Sequence, residues 1–518
     1  MFEFYQQVAF RFAKHNETNY VQDNEMVREI RWEDATRISM IGDSCLPSLP
    51  DEPNSKRILT LLLQEVSCLV KFPGSFFVHM SALQLLDLYK TKIETLPSSI
   101  SSLKNLKAMF LKNCDQLTEL RTEVGDLHSL EILDICHTGI YHLPPVIGNL
   151  TALKCLRVSF KKIIWNQNHV NGGLSDMISS NVIASLHSLE ELGIVVDPTD
   201  GRWCQNVGNI VAEIAVLKEL TTLCFYFPTM KCFETFISTS ILWNGNNPWK
   251  GDRLRSVNII VGHQQGNSFT KFDVSEWSAE KWLTFSAGET FPDAILKILK
   301  QACSFELIGH KAANLSEFSA DYLQGLEVCM IEDCPEMTSI IDGRCTTGAA
   351  FQHLNKLHID SLPKLEQIWK GSIVSESLVM LTHLTLKGCH NLKVVFSKEM
   401  VKLLNRLQFI QIEDCHVMKE IIKDGSTVEP CSFPKLKNFE LVNLPKLSRI
   451  CKNVSLKWDS LETLRIDSCM ALKTFPATFQ RAEKLIAIYC SQNLWNQVDW
   501  LDVTDVTKMQ FQKLYKHI

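Results

Sequence analysis

Fifteen histidines and eighteen cysteines are the residues of this 518-residue chain with the widest chemistry: imidazole bases, thiolate nucleophiles and soft-metal ligands. Their spacing supports none of these roles. No Cys-x-x-Cys pair occurs, which argues against a zinc ribbon or a dithiol redox motif. His-Glu-x-x-His, Gly-x-Ser-x-Gly and Gly-x-x-x-x-Gly-Lys-Ser/Thr are absent too, so zincin, serine-hydrolase and phosphate-loop readings fall away. Cys136 and His137 are adjacent, but neighbours on a strand point to opposite sides, so they read as structural rather than as nucleophile and base. His383 and Cys389 fit the frame described next without any metal. No catalytic residue, metal or cofactor is therefore expected. What remains is that Cys114, Cys334, Cys389, Cys415 and Cys469 recur at one position of a longer pattern.

That pattern places Leu83, Leu106, Leu130 and Leu153 in one column, each opening a Leu-x-x-Leu-x-Leu segment: Leu83, Leu86, Leu88; Leu106, Met109, Leu111; Leu130, Leu133, Ile135; Leu153, Leu156, Val158. A second run opens at Leu326, Leu354, Leu381, Leu407, Leu436 and Leu461. After each strand of this run comes either a Cys-x-x-Leu or Met segment or a Leu-Pro-Lys-Leu segment. A period of roughly 20–29 residues with this signature is that of a leucine-rich repeat. The expected fold is an α/β solenoid of horseshoe type, with a curved parallel sheet on the concave face and irregular or short helical segments on the convex face.

Five stretches follow from the register: a short helical segment over 1–31, repeats over 32–160, irregular repeats with long loops over 161–325, repeats over 326–490, and a tail over 491–518. Within the irregular stretch, residues 161–185, 200–215, 228–250 and 262–290 show no repeat period and read as loops. Phe305 and Leu307 match the frame poorly. Near the start, Phe2, Tyr5, Val8 and Phe12 recur at helical spacing, and Ile38 with Met40 and Leu59 with Leu61 and Leu63 read as strands.

The net charge of −5 at 45% hydrophobic residues supports neither nucleic acid nor an anionic membrane as the main partner. No run approaches the roughly 20 apolar residues of a membrane span, and residues 2–14 are too polar for a signal-peptide core. Buried thiols at a repeat position, with no secretory signal, make a reducing cytoplasm the expected compartment.

Stacked repeats share one core and leave the alternate strand positions outward, where a protein partner can bind. In the first run these positions are Asp87, Tyr89, Phe110, Lys112, Asp134 and Arg157. In the second they are Glu332, Asp333, His358, Asp360, Lys387, Gln411, Glu413, Asp414, Glu440, Arg465 and Asp467. The second set leans acidic, which reads either as a patch steering a basic partner or as a solvated face that keeps the sheet soluble. Phe110 and Tyr89 are the aromatic anchor candidates, unless a neighbour covers them.

Several segments resemble a known family in combination. Trp32-Glu-Asp-Ala-Thr-Arg-Ile-Ser, Leu59-Thr-Leu-Leu-Leu-Gln, Phe76-Phe-Val-His-Met and Leu86-Asp-Leu are similar to plant nucleotide-binding, leucine-rich-repeat disease-resistance proteins of the coiled-coil class. So are Ile93-Glu-Thr-Leu-Pro-Ser-Ser-Ile, Cys329-Met-Ile-Glu-Asp-Cys-Pro-Glu-Met, Leu362-Pro-Lys-Leu-Glu-Gln-Ile-Trp and the closing Trp495, Trp500 and Phe511. The resemblance implies a module for innate immunity that recognises a pathogen effector or a guarded host protein. It also implies contact with the nucleotide-binding domain of a receptor, which the repeats restrain. Without a phosphate loop, nucleotide binding is not carried over to this chain, and residues 1–31 read as a remnant of the switch region. The alternative is an intracellular leucine-rich-repeat adaptor or scaffold, such as one presenting substrates to a ubiquitin ligase.

Overall fold

Hydrophobes at every second position make short strands, and each strand pairs with the equivalent strand of the next repeat. A computed structural model describes residues 20–22, 32–40, 42, 49–162, 176–241, 255–262, 281–317, 319–345, 348–423, 432–451, 458–472, 482–497 and 505–517. The amphipathic helix expected over 2–14 lies outside the described residues. The chain divides into two compact units, Met1–Glu280 and Lys281–Ile518.

In the first unit the strands run β1 (Tyr20–Gln22), β2 (Arg37–Ser39), β3 (Thr60–Leu62), β4 (Leu85–Asp87), β5 (Ala108–Phe110), β6 (Ile132–Ile135), β7 (Cys155–Ser159), β8 (Glu191–Val195), β9 (Thr222–Phe227) and β10 (Ser256–Val261). Each pairs in parallel with the next. The motif leucines Leu83, Leu86, Leu88, Leu106, Leu111, Leu130 and Leu133 are all completely buried. On the return side, 3₁₀ turns at Ser98–Ser102, Thr122–Asp126 and Pro145–Asn149 bury Ile100, Val124 and Ile147 under the same core. Pro97 and Pro144 stand at the N-caps of two of them, extended as proline requires.

Two regions read as loops are helices. Gly201–Ile214 is capped by Asp200, whose side chain accepts from the Arg202 N–H, and buries Trp203, Val207, Ile210, Val211 and Ile214. Met230–Thr239 is capped by Thr229 and buries Phe233 and Phe236. Their apolar residues recur at three- and four-residue spacing, a period that a search for the repeat passes over.

In the second unit the main sheet contains β11 (Lys281–Gly288), β12 (Ser304–His310) and β13 (Val328–Glu332). β14 (Ser339–Asp342) leaves it to pair with β16 (Gln367–Lys370) in a separate two-stranded ladder. The main ladder continues through β15 (Lys356–Asp360), β17 (His383–Lys387), β18 (Phe409–Glu413), β19 (Asn438–Val442), β20 (Thr463–Asp467), β21 (Ala487–Cys490) and β22 (Tyr515–His517). Its pairings are parallel throughout. β11 occupies part of the expected 262–290 loop, and Phe305 and Leu307, a poor match in sequence, are fully buried on β12. The tail adds helices Gln492–Gln497 and Asp505–Leu514 before β22.

Many of the strands then turn back toward the core through one residue in the left-handed region. Lys90, Asn113 and His137 take it in the first unit; Asp333, Ser361, Gly388, Asp414, Asn443 and Ser468 take it in the second. Glycine, Asn and Asp tolerate that region best, and Gly388 adopts it without the Cβ penalty. The residue that follows enters the core. This is the recurring cysteine position: Cys114, Cys334, Cys389, Cys415 and Cys469 are buried free thiols, as expected. Thr91 and Thr138 fill it elsewhere, their hydroxyls donating to Leu88 O and Ile135 O at 3.0 Å.

Candidate protein-recognition faces

Parallel pairing in register carries the outward residues of each unit into rows. In the first unit one row runs Leu62, Asp87, Phe110, Asp134, Arg157, and a second runs Leu85, Ala108, Ile132, Cys155, Glu191. The structure brings the predicted residues onto one face, yet closes most of them off. Asp87, Phe110, Lys112, Asp134 and Arg157 are buried, and Tyr89 alone of the six is half-buried. Phe110 packs with Leu85 and Ala108, flanked by Leu62 and Ile132, so the aromatic is part of an apolar cluster rather than a free anchor. The reason is compositional: Leu85, Ala108 and Ile132 are outward yet apolar.

The charges on this face are paired under that cover. Arg157 bridges Glu191, which accepts from its Nε, and Asp134, 3.8 Å from Nη1. Asp87 accepts from Gln64 Nε2 and, at 2.9 Å, from the Tyr89 N–H. Burial lifts the Asp87 carboxyl to about 6 with help from Asp134, against the opposing pull of those two donors. Burial likewise raises the Cys136 thiol well above its usual range. His137 takes the left-handed turn rather than a strand position.

The second unit is different. Strands β17, β18 and β19 alternate half-buried and buried residues along their whole length, and β15 and β20 follow the same rhythm. Three rows result. The middle one is Met330, His358, Thr385, Gln411, Glu440, Arg465, Tyr489. Above it run Glu332, Asp360, Lys387, Glu413, Val442, Asp467, and below it Val328, Lys356, His383, Phe409, Asn438, Thr463. Among the predicted residues only Glu332 is buried, and only narrowly.

The upper row is held by short polar links. Lys387 Nζ lies 3.7 Å from Glu413 Oε1, Ser361 and Ser468 donate to Asp360 and Asp467, and Asn443 donates to Asp414 at 2.6 Å. Burial and the neighbouring Asp360 and Glu332 raise the Asp333 carboxyl, the mark of a crowded acidic edge. Sequence reading passed over Thr385, His383, Phe409, Asn438 and Tyr489, which occupy the same face. The alternation that revealed Gln411 and Glu440 contains them as well. His383 and Phe409 lie with ring centroids 5.8 Å apart, and burial followed by Lys356 lowers the His383 pKa. Among the described residues, no three His, Cys, Asp or Glu side chains converge as a metal site requires.

Two family descriptions match these repeats. Residues 110–243 match a leucine-rich repeat region, and residues 369–488 match the leucine-rich repeats of plant disease resistance proteins of the RPS2-like kind. The chain carries leucine-rich repeats similar to those of plant disease-resistance proteins. Both matched descriptions are of repeat regions rather than catalytic domains. A probable disease resistance protein of Arabidopsis thaliana, At4g27220, is 25% identical over 455 residues, covering 85% of this chain and 46% of its own length. A putative disease resistance protein of the same plant, At4g10780, is 22% identical over 409 residues, covering 74% of this chain and 40% of its own. The chain thus spans less than half the length of these two relatives. Among solved structures, a leucine-rich-repeat protein of Leptospira interrogans aligns over 94% of this chain and 90% of its own, at 17% identity and a TM-score of 0.38. No described helix is long and apolar enough to cross a membrane.

Proposed function

We propose that this chain is the recognition module of a plant defence protein, binding a pathogen effector or a host protein that an effector modifies. The observation that carries the reading is the half-exposed sheet face over β15 to β20. It presents His358, Thr385, Gln411, Glu440 and Arg465 in one register row. A row of chemically unlike side chains at fixed spacing suits an interface whose specificity is set by complementarity. The neighbouring carboxylates Asp360, Glu413, Asp414 and Asp467 favour a partner surface bearing Lys or Arg. The names of the relatives support the defence setting.

In a longer receptor, the same repeats restrain a nucleotide switch. Binding shifts that switch only if the partner discriminates between closed and open states.

The test is direct binding of the full chain to a panel of secreted pathogen effectors, measured by surface plasmon resonance. A combined Gln411→Ala, Glu440→Lys, Arg465→Glu variant is expected to lose any interaction found while keeping its melting temperature. Retention of binding by that variant would remove the face from the interface.

A further inference from the structure

Phe409 on β18 points outward on the open face and is half-buried, so part of its ring stays accessible. In register it lies between His383 on β17 and Asn438 on β19. Its ring centroid is 5.8 Å from that of His383, with the planes tilted by 32°. Glu440 follows Asn438 by two residues on the same side of β19, diagonal to Phe409. A strand spacing of about 4.8 Å and a rise of about 3.3 Å per residue put their Cα atoms about 8 Å apart, within reach of one bound side chain. Among the described residues the Glu440 carboxylate makes no ion pair, and Arg465, opposite it on β20, is equally unpaired.

Hydrogen bonding decides which nitrogen of His383 is left for a partner. Nδ1 lies 2.7 Å from Thr382 Oγ1. That hydroxyl has one hydrogen, and its other contacts are oxygens of Asn355, the backbone carbonyl at 3.0 Å and the side-chain Oδ1. The hydrogen is therefore donated to Asn355, and toward Nδ1 the hydroxyl can only accept. The ring proton then sits on Nδ1, and Nε2 keeps its lone pair. Burial, and after it Lys356, favour the neutral ring.

Three unlike groups thus surround one spot: an aromatic ring, a neutral acceptor and an unpaired carboxylate. A lysine ammonium is a compact point charge that a carboxylate alone satisfies. A guanidinium is planar, stacks on an aromatic ring and directs its N–H groups outward in the plane, where acceptors can meet them. We propose that Phe409, His383 and Glu440 form a seat for one arginine side chain of a bound protein. The guanidinium lies on Phe409, donates to His383 Nε2 and pairs with Glu440. Lys356 beyond His383 and Arg465 beyond Glu440 bound the seat with cations and hold it to a single positive charge. The inference rests on this face being the one that binds a protein, and adds which residue of that protein is read there.

The test offers the full chain a phage-displayed library of random linear peptides and counter-selects on the Phe409→Leu chain, which keeps an apolar side chain and loses the ring. Surviving peptides are synthesised and their affinities measured by fluorescence polarisation. The expected binders contain an arginine whose replacement by lysine weakens binding about fivefold or more. Glu440→Gln is expected to weaken the arginine peptides. His383→Phe, which keeps a ring and loses the acceptor, is expected to narrow their preference over lysine. Nitrogen NMR of the His383 ring is expected to show a protonated Nδ1 and a bare Nε2. Peptides that bind equally well with lysine, affinities indifferent to Glu440→Gln, a His383 proton on Nε2, or a selection yielding no peptide sensitive to Phe409→Leu would each overturn the proposal. A protein that binds this face and tolerates lysine throughout removes the arginine seat and leaves the recognition reading standing. An arginine-selective peptide site with no protein partner supports the seat and removes that reading.

Discussion

The two units repeat one grammar and present different faces. Their inward positions are alike: Leu86, Met109 and Leu133 in the first, Leu384, Ile410 and Leu464 in the second, all essentially buried. Their outward positions are not. β4, β5 and β7 are buried at every residue, whereas β17, β18 and β19 alternate half-buried with buried. Where the outward residues include Leu85, Ala108, Phe110 and Ile132, the face behaves as a second core; where they are Thr385, Gln411, Glu440 and Arg465, it stays accessible. The repeat motif therefore dictates the core, and the residues between motif positions decide whether the sheet is closed or open to a partner.

The largest effects should come from the closed face. Phe110→Ala is expected to destabilise the protein by about 3–5 kcal/mol, the range for a buried aromatic, while Phe409→Ala, half-buried on the open face, should cost a small fraction of that. Chemical unfolding of both variants decides the matter, and equal costs would erase the distinction between the faces. Arg157→Ala belongs to the same class, because it leaves Asp134 and Glu191 without their buried partner. A loss of about 3–5 kcal/mol is expected there, against a change within roughly 0.5 kcal/mol for the exposed Arg465→Ala.

How much of this was legible beforehand follows the same divide. The period of the leucines revealed the repeats, the core and the buried cysteine position, because burial of a shared stripe is encoded at fixed spacing. Helix Gly201–Ile214 was missed because its code is the shorter period of Trp203, Val207, Ile210 and Ile214. The outward row Gln411, Glu440, Arg465 was legible from alternation alone. That Phe110 is closed off was not, since its exposure depends on Leu85, Ala108 and Ile132, which neighbour it only after the strands pair. Register joins residues more than twenty positions apart, and a local pattern does not rank their mutual burial.

A mid-sized effect should appear as a pH dependence of the closed face. The Asp87 carboxyl titrates near 6 in the folded chain, above its ordinary value of 3.8. Between those values the folded state binds more protons than the unfolded state, so stability falls as pH rises through that window and stays reduced above it. Asp87→Asn is expected to remove this slope and to gain on the order of 1–3 kcal/mol at neutral pH, from about 1.4 kcal/mol per pKa unit. Urea midpoints measured from pH 4 to pH 7 report both. An unchanged slope in the variant would mean that Asp87 is hydrated, and the face above it open.

The smallest effect is expected on the open face, at the pair Lys387 and Glu413. Their charged atoms are 3.7 Å apart, with side chains 44% and 28% exposed. A solvent-screened pair of this kind contributes roughly 0–1 kcal/mol, so Lys387→Ala should leave the melting temperature nearly unchanged. Its consequence lies in the field of the face. Lys387 is the only cation in the row Glu332, Asp360, Lys387, Glu413, Val442, Asp467, and its loss makes the row more negative. A cationic partner should then associate faster at low ionic strength, and its on-rate should fall more steeply with salt than for the wild-type chain. An unaltered salt dependence would show that the row serves solubility rather than recognition. A large loss of stability would show that this face, too, is part of a core.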